Sequence, residues 1–243
     1  MSESIPIQPV PRWLRGWAWL TVLTALPLVL LGAETTTKGV GMADQVSLRS
    51  PWYFFTLNFR ETQLGLLIEH SHRLFGWMVG LCCIVLAVGL QLRATGWHRR
   101  LGWIALALVS AQGIFGILRV KWNALAGPEL AAFHGCFAQL AFSSLVAIAF
   151  LCSTWWVDSS GTPGLSRTSQ LLLCGILYVQ ILFGALTRHL ILYTEFNGLA
   201  QRIHIALAFF VVVMVFWIVS KIQAQTNRPA YLVSRFLLVL ICL

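Results

Sequence analysis

The chain has 243 residues, 58% of them hydrophobic and 10% charged, with a mean hydropathy of +0.78. Soluble domains carry roughly 25% charged residues, so 17 basic and 8 acidic side chains cannot wet a body of 27.1 kDa, which excludes a soluble enzyme, a disordered chain and a disulfide-stapled secreted miniprotein. The formal net charge of +9 is scattered in ones to threes between apolar runs, a pattern that suits anchoring of helix ends rather than nucleic-acid binding.

Taken in chain order, apolar runs predict membrane spans at 16–33, 65–92, 101–118, 130–156, 168–186 and 203–220. The first follows Arg12 and Arg15 but is longer than the roughly 7–15 residues of a signal-peptide core, so it is expected to be retained. A seventh run begins near Tyr231. The stretch from there to Leu243 is too short to cross a bilayer at about 1.5 Å per residue, so the chain is expected to be a fragment or truncated product. Arg12 and Arg15, then Arg93, Arg99 and Arg100, then Lys221 and Arg228 fall on one side, which favours a cytoplasmic N-terminus in the cell membrane. The connection 34–62 then lies outside, with Pro51, Trp52, Tyr53, Phe54 and Phe55 resting at the interface. Trp13, Trp17 and Trp19, with His98 in the first inner turn, read as interfacial anchors. Cys82, Cys83, Cys136, Cys152, Cys174 and Cys242 all lie in apolar runs and read as small buried hydrophobes.

An internal repeat runs through the spans. Gln112, Phe115, Gly116, Leu118 and Arg119 in the third are echoed by Gln180, Phe183, Gly184, Leu186 and Arg188 in the fifth. Leu31, Gly32, Ala33 and Thr35 at the end of the first echo Phe183, Gly184, Ala185 and Thr187. After each comes a loop and a span that opens with a histidine: His72, His134 and His204. The fold class expected is therefore all-α and polytopic, built of helical hairpins with one histidine each. Two domains are expected, an N-terminal half at 1–157 holding His72 and His134, and a C-terminal half at 158–243 holding His204.

All three histidines enter from the same side and share one depth near the outer face. Intramembrane ionisable groups are costly and tend to be functional, against the plainer reading of each as a packing residue. Imidazoles on separate hairpins suit haem, which apolar bundles bury between facing helices; zinc or copper would need several ligands converging on one ion. Their spacing places a further partner, for His204, near 266–274. Glu69 lies within about 60° of His72 around the helix and within about 40° of Arg73, whereas His70 points roughly 160° from His72. Spacing leaves two readings open for Glu69: an acid or base for chemistry at a haem edge, or a simple ion pair with Arg73. Gln112, Gln139 and Gln180 read as interhelical hydrogen-bonding side chains. His189, with Arg188 and Glu195, is expected in the loop before the sixth span.

The run Glu69, His70, Ser71, His72, Arg73, Leu74, Phe75, Gly76 resembles the Glu-x-x-His-Arg signature of the haem A synthase family. Phe133 to Leu140, preceded by Gln112, Gly113 and Arg119, is similar to that family's fourth helix. Gly32 to Ala43 is similar to its first outer loop, and Arg202, Ile203 and His204 to its sixth-helix entry. The resemblance implies eight spans in two pseudo-equivalent four-helix bundles, the second incomplete here, and oxidation of the C8 methyl of haem O to a formyl group, giving haem A for terminal oxidases. It implies that His72 and His134 flank the substrate haem, that Glu69 is the acid essential to the oxidation, and that His204 supplies one axial ligand of a haem b cofactor. Arg73 would meet propionates or neutralise Glu69. The implied partners are the lipid bilayer, haem O, a haem O synthase and a membrane electron donor. Some members of that family carry cysteine pairs in their outer loops; this sequence has none there, which removes a thiol relay. The competing expectation is a bis-histidine b-type cytochrome or haem carrier without haem-modifying chemistry.

Overall fold

Helix forms wherever the apolar runs occur in the computed structural model, which describes residues 10–44, 53–56, 58, 60–154, 167–189 and 194–223. The elements are α1 (Arg12–Thr37), a single turn α2 (Tyr53–Thr56), α3 (Leu64–Arg93), α4 (His98–Lys121), α5 (Asn123–Cys152), α6 (Arg167–His189) and α7 (Thr194–Gln223). All but α2 are long and apolar enough to cross a membrane, so this is an all-α, multi-pass membrane protein with six spans among the described residues. The seventh run near Tyr231 lies outside the described residues. The chain divides into two compact units, residues 1–130 with 137–158, and residues 131–136 with 159–243.

In the first unit, a seam at helical spacing forms the core. Leu14, Ala18, Val22 and Ala25 of α1 meet Val79, Cys83, Leu86 and Leu90 of α3, joined by Leu101 and Ala105 of α4 and by Leu145, Ile148 and Ala149 of α5. Apolar side chains on the opposite faces, such as Leu23 and Leu30 of α1 and Leu81 of α3, stay exposed, as a lipid-facing surface requires. Small residues set how closely the helices approach. A Cβ on Gly102 of α4 would come within 2.5 Å of the Ala87 Cα of α3, and one on Gly89 of α3 within 2.5 Å of Leu14. Hydroxyls that an apolar phase cannot solvate bond back along their own helix, Thr21 to the Trp17 carbonyl and Thr24 to that of Leu20. Trp17 does more than line the end of the span: its indole Nε1 donates to the Cys82 carbonyl at 2.9 Å, inside the α1–α3 contact. His98 is not simply at the interface either. It is buried and stacked on Trp97 with ring centroids 4.1 Å apart.

Two irregularities interrupt the helices. At the end of α1, Gly39 takes a φ of +66°, so the chain reverses after Thr37 and the segment 40–44 folds back over the start of α3. The α5 helix starts earlier than the expected 130 and is broken at Ala126, whose φ and ψ of −149° and 42° are non-helical, two residues before Pro128. In the second unit, α6 and α7 pack against each other. Arg188 and His189 close α6 rather than lying in a loop.

Candidate functional site

His72 sits on α3 against α1. Its Nδ1 lies 3.0 Å from the Leu28 main-chain carbonyl. A carbonyl only accepts, so Nδ1 carries the proton and, in the neutral ring, Nε2 is the bare nitrogen. The ring reaches that carbonyl because residue 32 is glycine: a Cβ there would come within 2.9 Å of His72 Cε1. His204 repeats this in the other unit. Its Nδ1 lies 3.0 Å from the Gln180 carbonyl, and a Cβ on Gly184 would come within 2.8 Å of its Cε1. In both, the glycine comes four residues after the acceptor, and a threonine three residues further on donates to the carbonyl before the glycine. Those bonds are Thr35 to Leu31 and Thr187 to Phe183, each 2.8 Å. The echo between Leu31–Thr35 and Phe183–Thr187 is thus one local structure built twice.

The glutamine of this motif acts otherwise than its side chain suggests. Gln180 offers its main-chain carbonyl, while its side-chain Oε1 is buried and accepts no hydrogen bond among the described residues. Each imidazole is half-buried with its tautomer fixed by a backbone acceptor, the arrangement in which a ligating histidine meets a metal through its other nitrogen. The donor chemistry therefore fits a haem iron. His134 is likewise half-buried, on α5 beyond the Ala126 break. Among the described residues no three His, Cys, Asp or Glu side chains converge on a site for a bare metal ion.

One helical turn before His72, Glu69 is buried at 3% exposure and belongs to a cluster that the sequence did not reveal. Its Oε2 accepts the Asp44 main-chain N–H at 2.6 Å, and its Oε1 is bonded by Arg73 Nη2. Arg73 Nη1 also bonds the Asp44 carbonyl. The Asp44 carboxylate, fully buried, holds His70 Nδ1 at 2.9 Å, and the Tyr53 and His70 rings pack in a T shape with centroids 5.4 Å apart. His70 therefore points away from His72, as its spacing requires, and into the returning loop. Arg119 lays its guanidinium over Gly41, where a Cβ would lie 2.7 Å from Nη2, and it interacts electrostatically with Glu69. Two buried acids thus face two arginines, so the charges balance where water is scarce. The ion pair between Glu69 and Arg73 is real, and Arg73 is committed to Glu69 and Asp44.

Glu69, His72 and Arg73, all expected from the sequence, share α3 in the first unit, whereas His134 and His204 belong to the second. The roles of Asp44 and His70 were missed. The sequence offers no more for them than an acid, Asp44, in the connection before the span that holds His70.

Six apolar helices, two histidines seated alike and a buried acid cluster define the class: a polytopic all-α membrane protein that carries one local histidine structure twice. A protein-family model described as COX15-CtaA, cytochrome oxidase assembly protein, matches residues 49–202. That is well over half the chain. The chain therefore belongs to this family, the haem A synthase family, whose members serve cytochrome oxidase assembly through an oxidation that yields haem A. The matched stretch includes Glu69, His72, Arg73 and His134 and ends just before His204. Comparisons with curated proteins and with solved structures give no match.

Proposed function

We propose that this protein oxidises the C8 methyl group of haem O to a formyl group. In this reading His72 and His134 flank the substrate haem, His204 supplies one axial ligand of a haem b cofactor, and the chain forms two pseudo-equivalent halves. The observation that carries it is the duplicated histidine seat. His72 and His204 each give their Nδ1 proton to a helix carbonyl, leaving Nε2 for iron. Bound haem would supply the redox chemistry.

The chain's own residues do the rest. Turning a methyl into a formyl group is a four-electron oxidation that also adds one oxygen atom; an external oxidant acting through the bound haem would take the electrons, and the protons released need an acceptor where water is scarce. Glu69 is the group placed for this: one turn from His72, held by the Asp44 N–H and Arg73, and able to take a proton while the arginine stays as counter-ion. Arg73 acts through Glu69 and Asp44 rather than on propionates. An N-terminus on the cytoplasmic side would put all three histidines near the outer face.

The test is co-expression with a source of haem O, then haem extraction and mass spectrometry. The wild type should yield the formyl derivative. Glu69→Gln should retain haem and yield none. Full formyl yield from that variant would overturn the role of Glu69, and haem bound by the wild type without any formyl product would make the protein a cytochrome or carrier.

A further inference from the structure

At the opposite end of the first unit from the acid cluster, the start of α1 and the end of α5 enclose a recess of about 340 Å³ lined by Arg12, Arg15, Trp19, Ser153 and Thr154. We propose that this recess binds the phosphate of an anionic phospholipid headgroup. It is a second site, independent of the haem reading.

The charges carry the argument. Neither Arg12 nor Arg15 makes an ion pair or side-chain hydrogen bond among the described residues, although Arg15 is already half-buried. Guanidinium is the side chain best suited to grip a phosphate with two parallel bonds. The α1 helix adds to the field: it is preceded by Pro11 and has no side-chain cap bond and no acid in its first turn, so its first N–H groups and positive pole meet no counter-charge among the described residues. The negative pole of α5 on the other side is partly quenched, because the Phe150 carbonyl accepts both the Ser153 N–H at 2.9 Å and the Ser153 hydroxyl at 2.6 Å.

Position selects the source of the phosphate. The recess lies where two spans end on the same side, the depth of lipid headgroups. Trp19 forms an apolar wall held edge-on by Phe150, with centroids 5.0 Å apart and planes at 79°. Beyond it α1 exposes Leu20 and Leu23, a surface along which acyl chains can run. A free phosphate would use the arginines but not this wall. A choline headgroup would bring its own cation against the two guanidinium groups.

The experiment uses the full chain in detergent micelles, titrated with phosphatidylglycerol or phosphatidylcholine and read by native mass spectrometry. The wild type should retain phosphatidylglycerol in preference. Arg12→Gln with Arg15→Gln should weaken that retention by about tenfold or more, given the strength of a basic side chain near anionic lipid. Arg12→Lys with Arg15→Lys, which keeps the charge and topology signal, should fall between. Arg100→Gln, at the same end but outside the recess, should match the wild type. Equal retention of phosphatidylcholine would overturn the proposal, as would undiminished retention in the lysine pair or an equal loss in Arg100→Gln. Complete displacement by millimolar inorganic phosphate would assign the recess to free phosphate and overturn the lipid assignment.

Discussion

Gly184→Ala tests the histidine seat by adding one methyl group. The new Cβ would lie 2.8, 3.3 and 3.4 Å from Cε1, Nδ1 and Nε2 of His204, face-on to the ring. Restoring ordinary contact requires the imidazole to retreat by roughly 0.6–1 Å. The Nδ1 to carbonyl distance, now 3.0 Å, would then pass about 3.5 Å, where a hydrogen bond is effectively lost. The lost bond costs about 1 kcal/mol and overpacking about 1–3 kcal/mol. For a histidine that ligates metal, loss of the group orienting it costs about 10–100-fold in affinity. The assay is haem occupancy and the reduced-minus-oxidised spectrum of the purified variant, beside Gly175→Ala on the same helix, where a Cβ meets nothing within 4 Å. The control should match the wild type. If Gly184→Ala also bound haem with an unchanged spectrum, the seat would have no part in ligation.

Asp44→Ala should lower thermal stability by about 1–3 kcal/mol, because His70 Nδ1 loses its partner at a fully buried position. Asp44 reaches Glu69 and Arg73 through its main chain, so Asp44→Asn should soften the effect; a thermal melt in detergent measures both. Gly102→Leu should destabilise the α3–α4 pair by several kcal/mol, since the side chain would run into the Ala87 backbone, and the yield of monodisperse protein on gel filtration checks it. Gly113→Ala on α4, with open space around it, serves as its neutral counterpart.

The spans were legible because lipid demands apolarity over a fixed length, and this demand leaves a mark on every residue of a helix. The repeat was legible at Gly32 and Gly184 because a missing side chain is itself visible in sequence. The acceptors at Leu28 and Gln180 were not, since a main-chain carbonyl is the same in every residue. For the same reason the glutamine at 180 misled: its side chain suggested a hydrogen bond that its backbone makes. The Asp44–His70 pair joins a loop to a helix across 26 residues of sequence, and only the reversal at Gly39 brings them together. Helical spacing correctly turned His70 away from His72, yet gave no means of knowing what it turned towards. The bond from Trp17 to the Cys82 carbonyl was illegible too, since nothing in the sequence marks which carbonyl an indole will meet.

The histidine seats have an unusual mutational profile. An acceptor made of backbone survives every substitution at positions 28 and 180, which is how leucine can stand in one copy and glutamine in the other with both distances at 3.0 Å. The fragility moves one turn along, to a residue with no side chain to lose. Replacement scans that shorten side chains would pass over Gly32 and Gly184, and only a scan that adds atoms would find them.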